Sequence, residues 1–395
     1  MTTKLPQLIL KPGKEKPIKN FHHWIFSGAI KQFPKEAKDG DFVSVYGSNG
    51  ELLGSAYINR KTSITARMVS FDNTEPIDSI VSHMDKAIAV RNNFFDDTQT
   101  NAFRLINSEG DGIPGLVVDK YDDVIVVQIT TLGIEKIKAD IVDYLVNKLK
   151  PICIYERSDM PSRREEGLKN QVGLLYGEGV KEKAIKEYGA LFKVDFVDSQ
   201  KTGFFLDQRE MRQQVKKLAK NKKVLNCFSY TGGFSVMAGI GGAQKVDSVD
   251  ISDPAIELAK ENFCLNDLDI KHNSFIVEDV FEFLRKDSVK NIYDFIILDP
   301  PAFAKKRGDI VKACRGYKDI NRLALQNIQS SGILITSSCS YYVDEKLFQQ
   351  VVFEAAVEAK RSVRIIDKHH YAPDHPINIF HPEGNYLKSL VLWVE

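Results

Sequence analysis

Unbroken apolar runs separated by turn-rich polar segments dominate the C-terminal half of this chain. Phe295, Ile296, Ile297 and Leu298 are apolar without alternation, as in a parallel strand covered on both faces. The run ends abruptly at Asp299-Pro300-Pro301, where the prolines stop strand pairing and fix the direction of the next carbonyl. Upstream, Lys223–Cys227 reads as a short strand entering the turn Phe228–Gly233 and then a helix. Further strands are expected at Lys245–Asp250, Ser274–Asp279 and Ser331–Ser337, the last after a helix carrying Ile320, Leu323, Ala324 and Ile328 at helical spacing. Val363–Asp367 and Leu387–Trp393 have no useful helical stretch between them, so they should pair antiparallel and close the sheet.

Toward the N-terminus the pattern changes. Phe42–Tyr46, Leu52–Tyr57 and Ile64–Val69 are short alternating strands separated by turn residues, which predicts a small β barrel. A mixed segment follows, with helical spacing in Ile80, Met84, Ala87, Ile88 and Val90, and strands at Gly115–Asp119 and Val124–Ile129. A second helix through Ile137, Ile141, Tyr144, Leu145 and Leu149 then leads to a strand at Ile152–Tyr155. The expected organisation is a β barrel over residues 1–71, an α+β unit over 72–190 and an α/β Rossmann-like domain over 191–395.

The polar ends of the C-terminal strands are where an open α/β sheet binds its ligands. Gly232 and Gly233 allow close backbone approach, and Thr231 or Ser229 can donate hydrogen bonds. The three spaced glycines of a dinucleotide fingerprint are missing. Asp250 is placed to accept both hydroxyls of a ribose, and Asp279 to accept an adenine amino group. This order of acidic strand ends, closing on Asp299-Pro300-Pro301, matches a class I S-adenosylmethionine-dependent methyltransferase. The fifth strand runs into Ser338-Cys339-Ser340, beside the strand that ends at Asp299. Carbon 5 of a pyrimidine is a poor nucleophile until a thiolate adds at carbon 6, and Cys339 is the candidate for that thiolate. Cys153, Cys227, Cys264 and Cys314 read instead as small buried hydrophobes, without zinc-site spacing.

These motifs resemble the family of ribosomal RNA large-subunit methyltransferases that make 5-methylcytosine and carry an N-terminal PUA domain. The likeness rests on Gln200–Arg209, Phe228–Phe234, Asp299–Phe303, Gly316–Asn321, Ser338–Ser340, Asp374–Pro376 and Pro382-Glu383. It extends to His23–Ala29 and Glu109–Leu116 and covers nearly the whole chain. One departure is His22-His23-Trp24 where the family often has His-Pro-Trp. The resemblance implies S-adenosylmethionine as cofactor. Phe228, Tyr230 and Thr231 would line its methionine end, with Ser229 and Gly232 in the same loop. Asp250 and Ser252 would lie at the ribose, and Asp279 and Val280 near the adenine. Phe205, Asp207 and Arg209 would cover the cofactor. Asp299 and the Pro300 carbonyl would hold the exocyclic amino group of the base, Cys339 would attack it, and Phe303, Tyr317, His375 and Glu383 would border its pocket.

Composition adds limits. The 395 residues are too many for one ordinary core, and 43% hydrophobic content suffices for globular packing without a membrane-spanning run. Five cysteines without a disulfide framework, and a start lacking an apolar signal region, predict a cytoplasmic protein. Net charge is +1, yet Lys4, Lys11, Lys14, Lys16, Lys19, Lys31, Lys35 and Lys38 crowd the opening segment among Phe21, Trp24 and Phe26. Lysines can bind phosphates and aromatics can stack on bases, so RNA is the expected partner, ribosomal or within a ribosome precursor; a solvated lysine-rich surface is the plainer alternative. Arg163 and Arg164 offer a further RNA contact that Glu165 and Glu166 largely offset. His369, His370, His375 and His381 cluster without metal-ligand spacing, so no metal is expected. No membrane contact is expected, a homodimer is allowed, and the base that removes the carbon 5 proton stays unassigned. Two other readings remain open: methylation of a ring or amino nitrogen, which needs no cysteine, and a non-enzymatic RNA-binding assembly factor.

Overall fold

The computed structural model describes residues 5–196, 202–304, 306–368 and 371–395. Lys4, Gln200, Lys201, His369 and His370 lie outside them. The chain divides into two compact units, the first formed by residues 1–185, 194–206 and 373–384, the second by residues 186–193, 207–372 and 385–395.

In the first unit a six-stranded sheet runs in the order Trp24–Phe26, Ile64–Ser70, Leu52–Ile58, Phe42–Tyr46, Gln7–Leu10, Ile30–Gln32. Alternate residues such as Leu8, Leu10, Val43, Val45, Ala56 and Met68 fill its interior. The expected strands are present, and Gln7–Leu10, Trp24–Phe26 and Ile30–Gln32 join them. These additions are only three or four residues long, too short to show a period. A five-stranded sheet follows, ordered Gln171–Gly177, Cys153–Ser158, Val124–Ile129, Leu116–Tyr121, Ala102–Asn107. The helix Pro76–Phe94 buries Ile80, Met84, Ala87 and Ile88 in the same core as Leu105, Val118 and Val127. The strands Glu182–Glu187 and Ala190–Asp195 pair as a two-stranded sheet, with residues 186–193 counted in the second unit.

The second unit is built on a seven-stranded sheet in the order Ser274–Val277, Lys245–Asp250, Lys223–Cys227, Phe295–Leu298, Gly332–Ser338, Lys388–Val394, Val363–Lys368. The Phe295–Leu298 strand is parallel to both neighbours, pairing Val224 with Phe295 on one side and Phe295 with Ile333 on the other. All four of its residues are buried, which explains the apolar run without alternation. Lys388–Val394 lies antiparallel to Gly332–Ser338 and to Val363–Lys368, as expected of the closing pair. The 19 residues between those last strands are not a tight hairpin loop, since residues 373–384 belong to the first unit.

Helices Ile310–Asn327 and Glu345–Ala359 share a core with Leu225, Ile296, Leu298 and Leu334 through Tyr317, Ile320, Ala324, Phe348 and Val352. Each such aliphatic side chain, fully removed from water, contributes about 1.5–3 kcal/mol. Glu187 is fully buried between two arginines. Arg212 donates from Nε and Nη2 at 2.6 Å each, and Arg209 lies 3.4 Å away, with all three side chains almost without exposure. Removing the carboxylate takes an anionic partner from two buried guanidinium groups, so Glu187→Ala is expected to lower the stability of the second unit by about 3 kcal/mol. Urea unfolding followed through the fluorescence of Trp393 measures this, and Glu187→Gln should lose less.

Candidate active site

The loop after the Lys223–Cys227 strand is bent by backbone torsion. Phe228, Tyr230 and Gly232 have φ of 58°, 48° and 77°. Left-handed backbone at two residues other than glycine costs energy and marks a loop held for a purpose. A side chain on Gly232 would come within 2.8 Å of Ala259 Cβ, so the loop also needs glycine for packing. Asp250, at the end of the next strand, pins the bend: its Oδ2 accepts from the Tyr230 amide and its Oδ1 from the Ser252 amide, both at 2.9 Å. Ser252 in turn caps the helix Asp253–Leu265. Among the described residues, Ser229 Oγ and Thr231 Oγ1 are buried without a hydrogen-bond partner. Hydroxyls in that condition fit a site for a polar ligand, since burial without a partner is costly.

Asp279 differs from the expectation of a strand end. The strand stops at Val277, and Asp279 caps the helix Val280–Leu284, accepting the Phe281 and Glu282 amides on Oδ1. Asp–Val–Phe here follows N-cap chemistry, which overrides the β pattern. Val280 is buried, and Phe281 faces Phe228 with ring centroids 6.5 Å apart. Phe303 continues the aromatic line, 6.4 Å from Phe281 and 4.6 Å from Tyr317.

Asp299 and Cys339 stand at the ends of adjacent parallel strands, where Leu298 pairs with Thr336. Cys339 Sγ lies 3.8 Å from the Pro300 carbonyl oxygen, and Gln208 Nε2 donates to Asp299 Oδ1 at 2.9 Å. Behind them, Ser340 Oγ meets the Tyr317 hydroxyl at 2.8 Å and accepts the Ala304 amide at 3.1 Å. Tyr317 is fully buried, so its side chain supports the Ser340 turn from inside. Lys388 Nζ donates to the Ser340 carbonyl at 2.7 Å. Gln208, Ser340 and Lys388 carried no assignment in the sequence reading. The available signal for Lys388 was a lysine inside an otherwise buried strand.

The remaining expected residues are distributed between the units. Arg209 is sealed against Glu187, and Asp207 accepts the Tyr386 hydroxyl at 2.6 Å; both are in the second unit, and Phe205 is in the first. His375 and Glu383 are also in the first unit. His375 is buried against Asp374 at 3.0 Å, whose Oδ2 accepts the Arg104 amide and whose carbonyl accepts Arg91 Nη2. Arg91 is held by Asp111 through both guanidinium nitrogens, while Trp24 Nε1 donates to Glu109 at 2.9 Å. The motifs around Trp24, Glu109 and Asp374 thus form one interior of the first unit. His23 is buried there, and loss of solvent pulls its imidazole down to about 4.

His22, His381 and Glu383 bring ligand-type atoms within 4.8 Å of one another. The Trp24 amide donates to His22 Nδ1, however, so the neutral ring carries its hydrogen on Nε2, which faces Glu383 Oε1 at 3.3 Å. Arg163 is withdrawn from the RNA contact that it and Arg164 offered. It is buried, donating to the Ile129 and Lys169 carbonyls and paired with Glu135, because the short helix Ser162–Glu165 turns it inward. Lys11, Lys14, Lys16, Lys19, Lys31, Lys35 and Lys38 are exposed, as are Phe21 and Phe26.

The sequence profile of the S-adenosylmethionine-dependent methyltransferases matches residues 167–390, more than half of the chain, and that of PUA-like domains matches residues 8–71. The proteins named ribosomal RNA large subunit methyltransferase I from Alteromonas mediterranea and Aliivibrio fischeri are each 42% identical to it. They cover 98% and 97% of this chain and 98% of their own lengths. The chain belongs to that methyltransferase family. A solved methyltransferase complexed with SAH superposes with a TM-score of 0.84 at 26% identity, over 98% of this chain and 100% of that one. The chain is therefore an S-adenosylmethionine-dependent methyltransferase. Among the described residues no helix is long and apolar enough to cross a membrane.

The cysteines are unequal in their surroundings. Cys227 and Cys153 have no exposure, and burial pushes both thiols up. Cys264 is exposed, against the expectation of a buried hydrophobe, and Cys314 and Cys339 are half-buried. Iodoacetamide treatment of the native protein at neutral pH should label Cys264 and Cys339 and leave Cys153 and Cys227 intact, as peptide mass spectrometry would reveal.

Proposed function

We propose that this protein forms 5-methylcytosine in large-subunit ribosomal RNA through a transient covalent bond from Cys339 to the base. The observation that carries the reading is the Cys339 sulfur beside the Pro300 carbonyl, at the tips of neighbouring parallel strands. The names of the relatives support ribosomal RNA as the substrate, and the exposed lysines with Phe21 and Phe26 on the PUA-like region support an RNA surface. The target cytosine would be drawn out of the stack, because carbon 6 is inaccessible in a duplex. We place the reaction in the cytoplasm; a homodimer is compatible with it.

The residues divide the work as follows. The Pro300 carbonyl and Asp299 accept the exocyclic amino group of cytosine, with Gln208 holding the carboxylate in place. The Cys339 thiolate adds to carbon 6 and makes carbon 5 nucleophilic. S-adenosylmethionine supplies the methyl group and leaves as S-adenosylhomocysteine. Loss of the carbon 5 proton to a base then expels the thiolate and restores the ring. Ser229, Tyr230, Thr231 and Asp250 hold the cofactor from one strand end and the next, with Phe228 and Phe281 as apolar walls and Asp279 at the adenine.

Cytosine fluorinated at carbon 5 cannot lose that substituent as a proton, so the adduct should persist. Ribosomal RNA carrying it, incubated with the enzyme and labelled S-adenosylmethionine, is expected to give a labelled protein–RNA band on a denaturing gel that disappears in Cys339→Ala. Methyl transfer without an adduct, undiminished in that variant, would instead indicate a nitrogen target. Failure to bind cofactor at all would favour an RNA-binding assembly factor. For the cofactor site, Asp250→Asn removes a charged acceptor and should weaken binding in calorimetry by about 1.5–3 kcal/mol, roughly tenfold or more in Kd.

A further inference from the structure

Lys388 is a cation in an unusual place. It begins the strand Lys388–Val394, in which six of the seven residues are buried, and is itself only 7% exposed. Its ammonium donates to the Ser340 carbonyl, which satisfies one of three hydrogens, and among the described residues no carboxylate forms an ion pair with it. A buried ammonium is costly unless an anion accompanies it. The sheet register sets Lys388 opposite Ser338, while its ammonium reaches Ser340, so its two anchor points straddle Cys339. The groups facing this turn are Cys339 itself, the Tyr317 hydroxyl from the Ile310–Asn327 helix, Asp344 at the start of the Glu345–Ala359 helix, and Asp299 from the neighbouring strand end. Tyr317 is neutral at physiological pH, burial raising its hydroxyl further.

We propose that Lys388 is a positioning residue that holds Cys339 in its thiolate form and fixes the Ser340 turn on which the sulfur is carried. The assignment rests on the reading of Cys339 as nucleophile. A thiol beside a lysine ammonium ionises at lower pH, because the charged thiolate gains an opposite charge in a site shielded from water. Burial pulls Lys388 down to about 8, with Cys339 and Asp344 opposing that fall, so the ammonium predominates at neutral pH and is lost as the pH rises through about 8. No bond forms or breaks at Lys388; it sets the fraction of Cys339 able to attack, and the ammonium counters the charge when the thiolate is expelled from the base.

Site-resolved alkylation of Cys339 by iodoacetamide, followed across a pH series by mass spectrometry, tests this without RNA. In Lys388→Met the midpoint of the Cys339 profile should rise by about one to two units. Lys388→Arg, which keeps the charge, should restore most of the difference, and the profile of the exposed Cys264 should not move in either variant. An unchanged Cys339 midpoint in Lys388→Met, with S-adenosylmethionine binding retained, would overturn the proposal. So would equal shifts in the Met and Arg variants, since charge would then not be the cause. The result is independent of the fluorocytosine trapping experiment: loss of the RNA adduct in the wild-type protein would defeat the cytosine-5 reading, whereas the alkylation profile reports only the coupling of Lys388 to the sulfur.

Discussion

Parallel pairing of Phe295–Leu298 between Lys223–Cys227 and Gly332–Ser338 is the constraint from which the candidate site follows. Parallel neighbours end on the same side of a sheet, so three loops distant in sequence open together: the strained Phe228–Gly232 bend, Asp299-Pro300-Pro301 and Ser338-Cys339-Ser340. Complete burial of Phe295, Ile296, Ile297 and Leu298 makes this register expensive to shift. A slip of one residue would turn every side chain of the strand to the other face.

Polar groups are arranged at this sheet edge in layers. The innermost is Ser340, which joins the Ala304 amide, the Tyr317 hydroxyl and the Lys388 ammonium through its side chain and carbonyl. Outside it lie Cys339 and the Pro300 carbonyl, and then Asp299 with Gln208. In the proposed reading, the groups that would meet a base are thereby backed by groups that would not. The glycine at 316 belongs to the same logic, because a Cβ there would come within 3.1 Å of the Phe303 ring.

In the first unit, motifs shared with the family build structure. Trp24, Glu109 and Asp374 all lie in segments that carry the family likeness, yet they are joined by buried hydrogen bonds and the Arg91 pair. Asn107 Nδ2 donates to the Pro376 carbonyl, and a Cβ on Gly110 would collide with that oxygen, so the segment 373–384 is fitted into this interior. Such residues hold a polar interior in which each group needs its partner.

Much of this protein was legible in its sequence. Continuous apolar runs marked the parallel strands, alternation marked the barrel strands, and the acids and prolines marked the strand ends at Asp250 and Asp299. These features are local: burial on both faces, the pleat period and proline geometry are written in consecutive residues. Tertiary structure decided the rest. Asp279 became a helix cap, since the Val277 strand end was fixed by its pairing partner and not by its own residues. Arg163 turned inward and Cys264 outward, because burial depends on which elements pack beside a residue. Lys388 reached the Ser340 carbonyl across 48 residues, a meeting that only the antiparallel register of the closing strands could bring about.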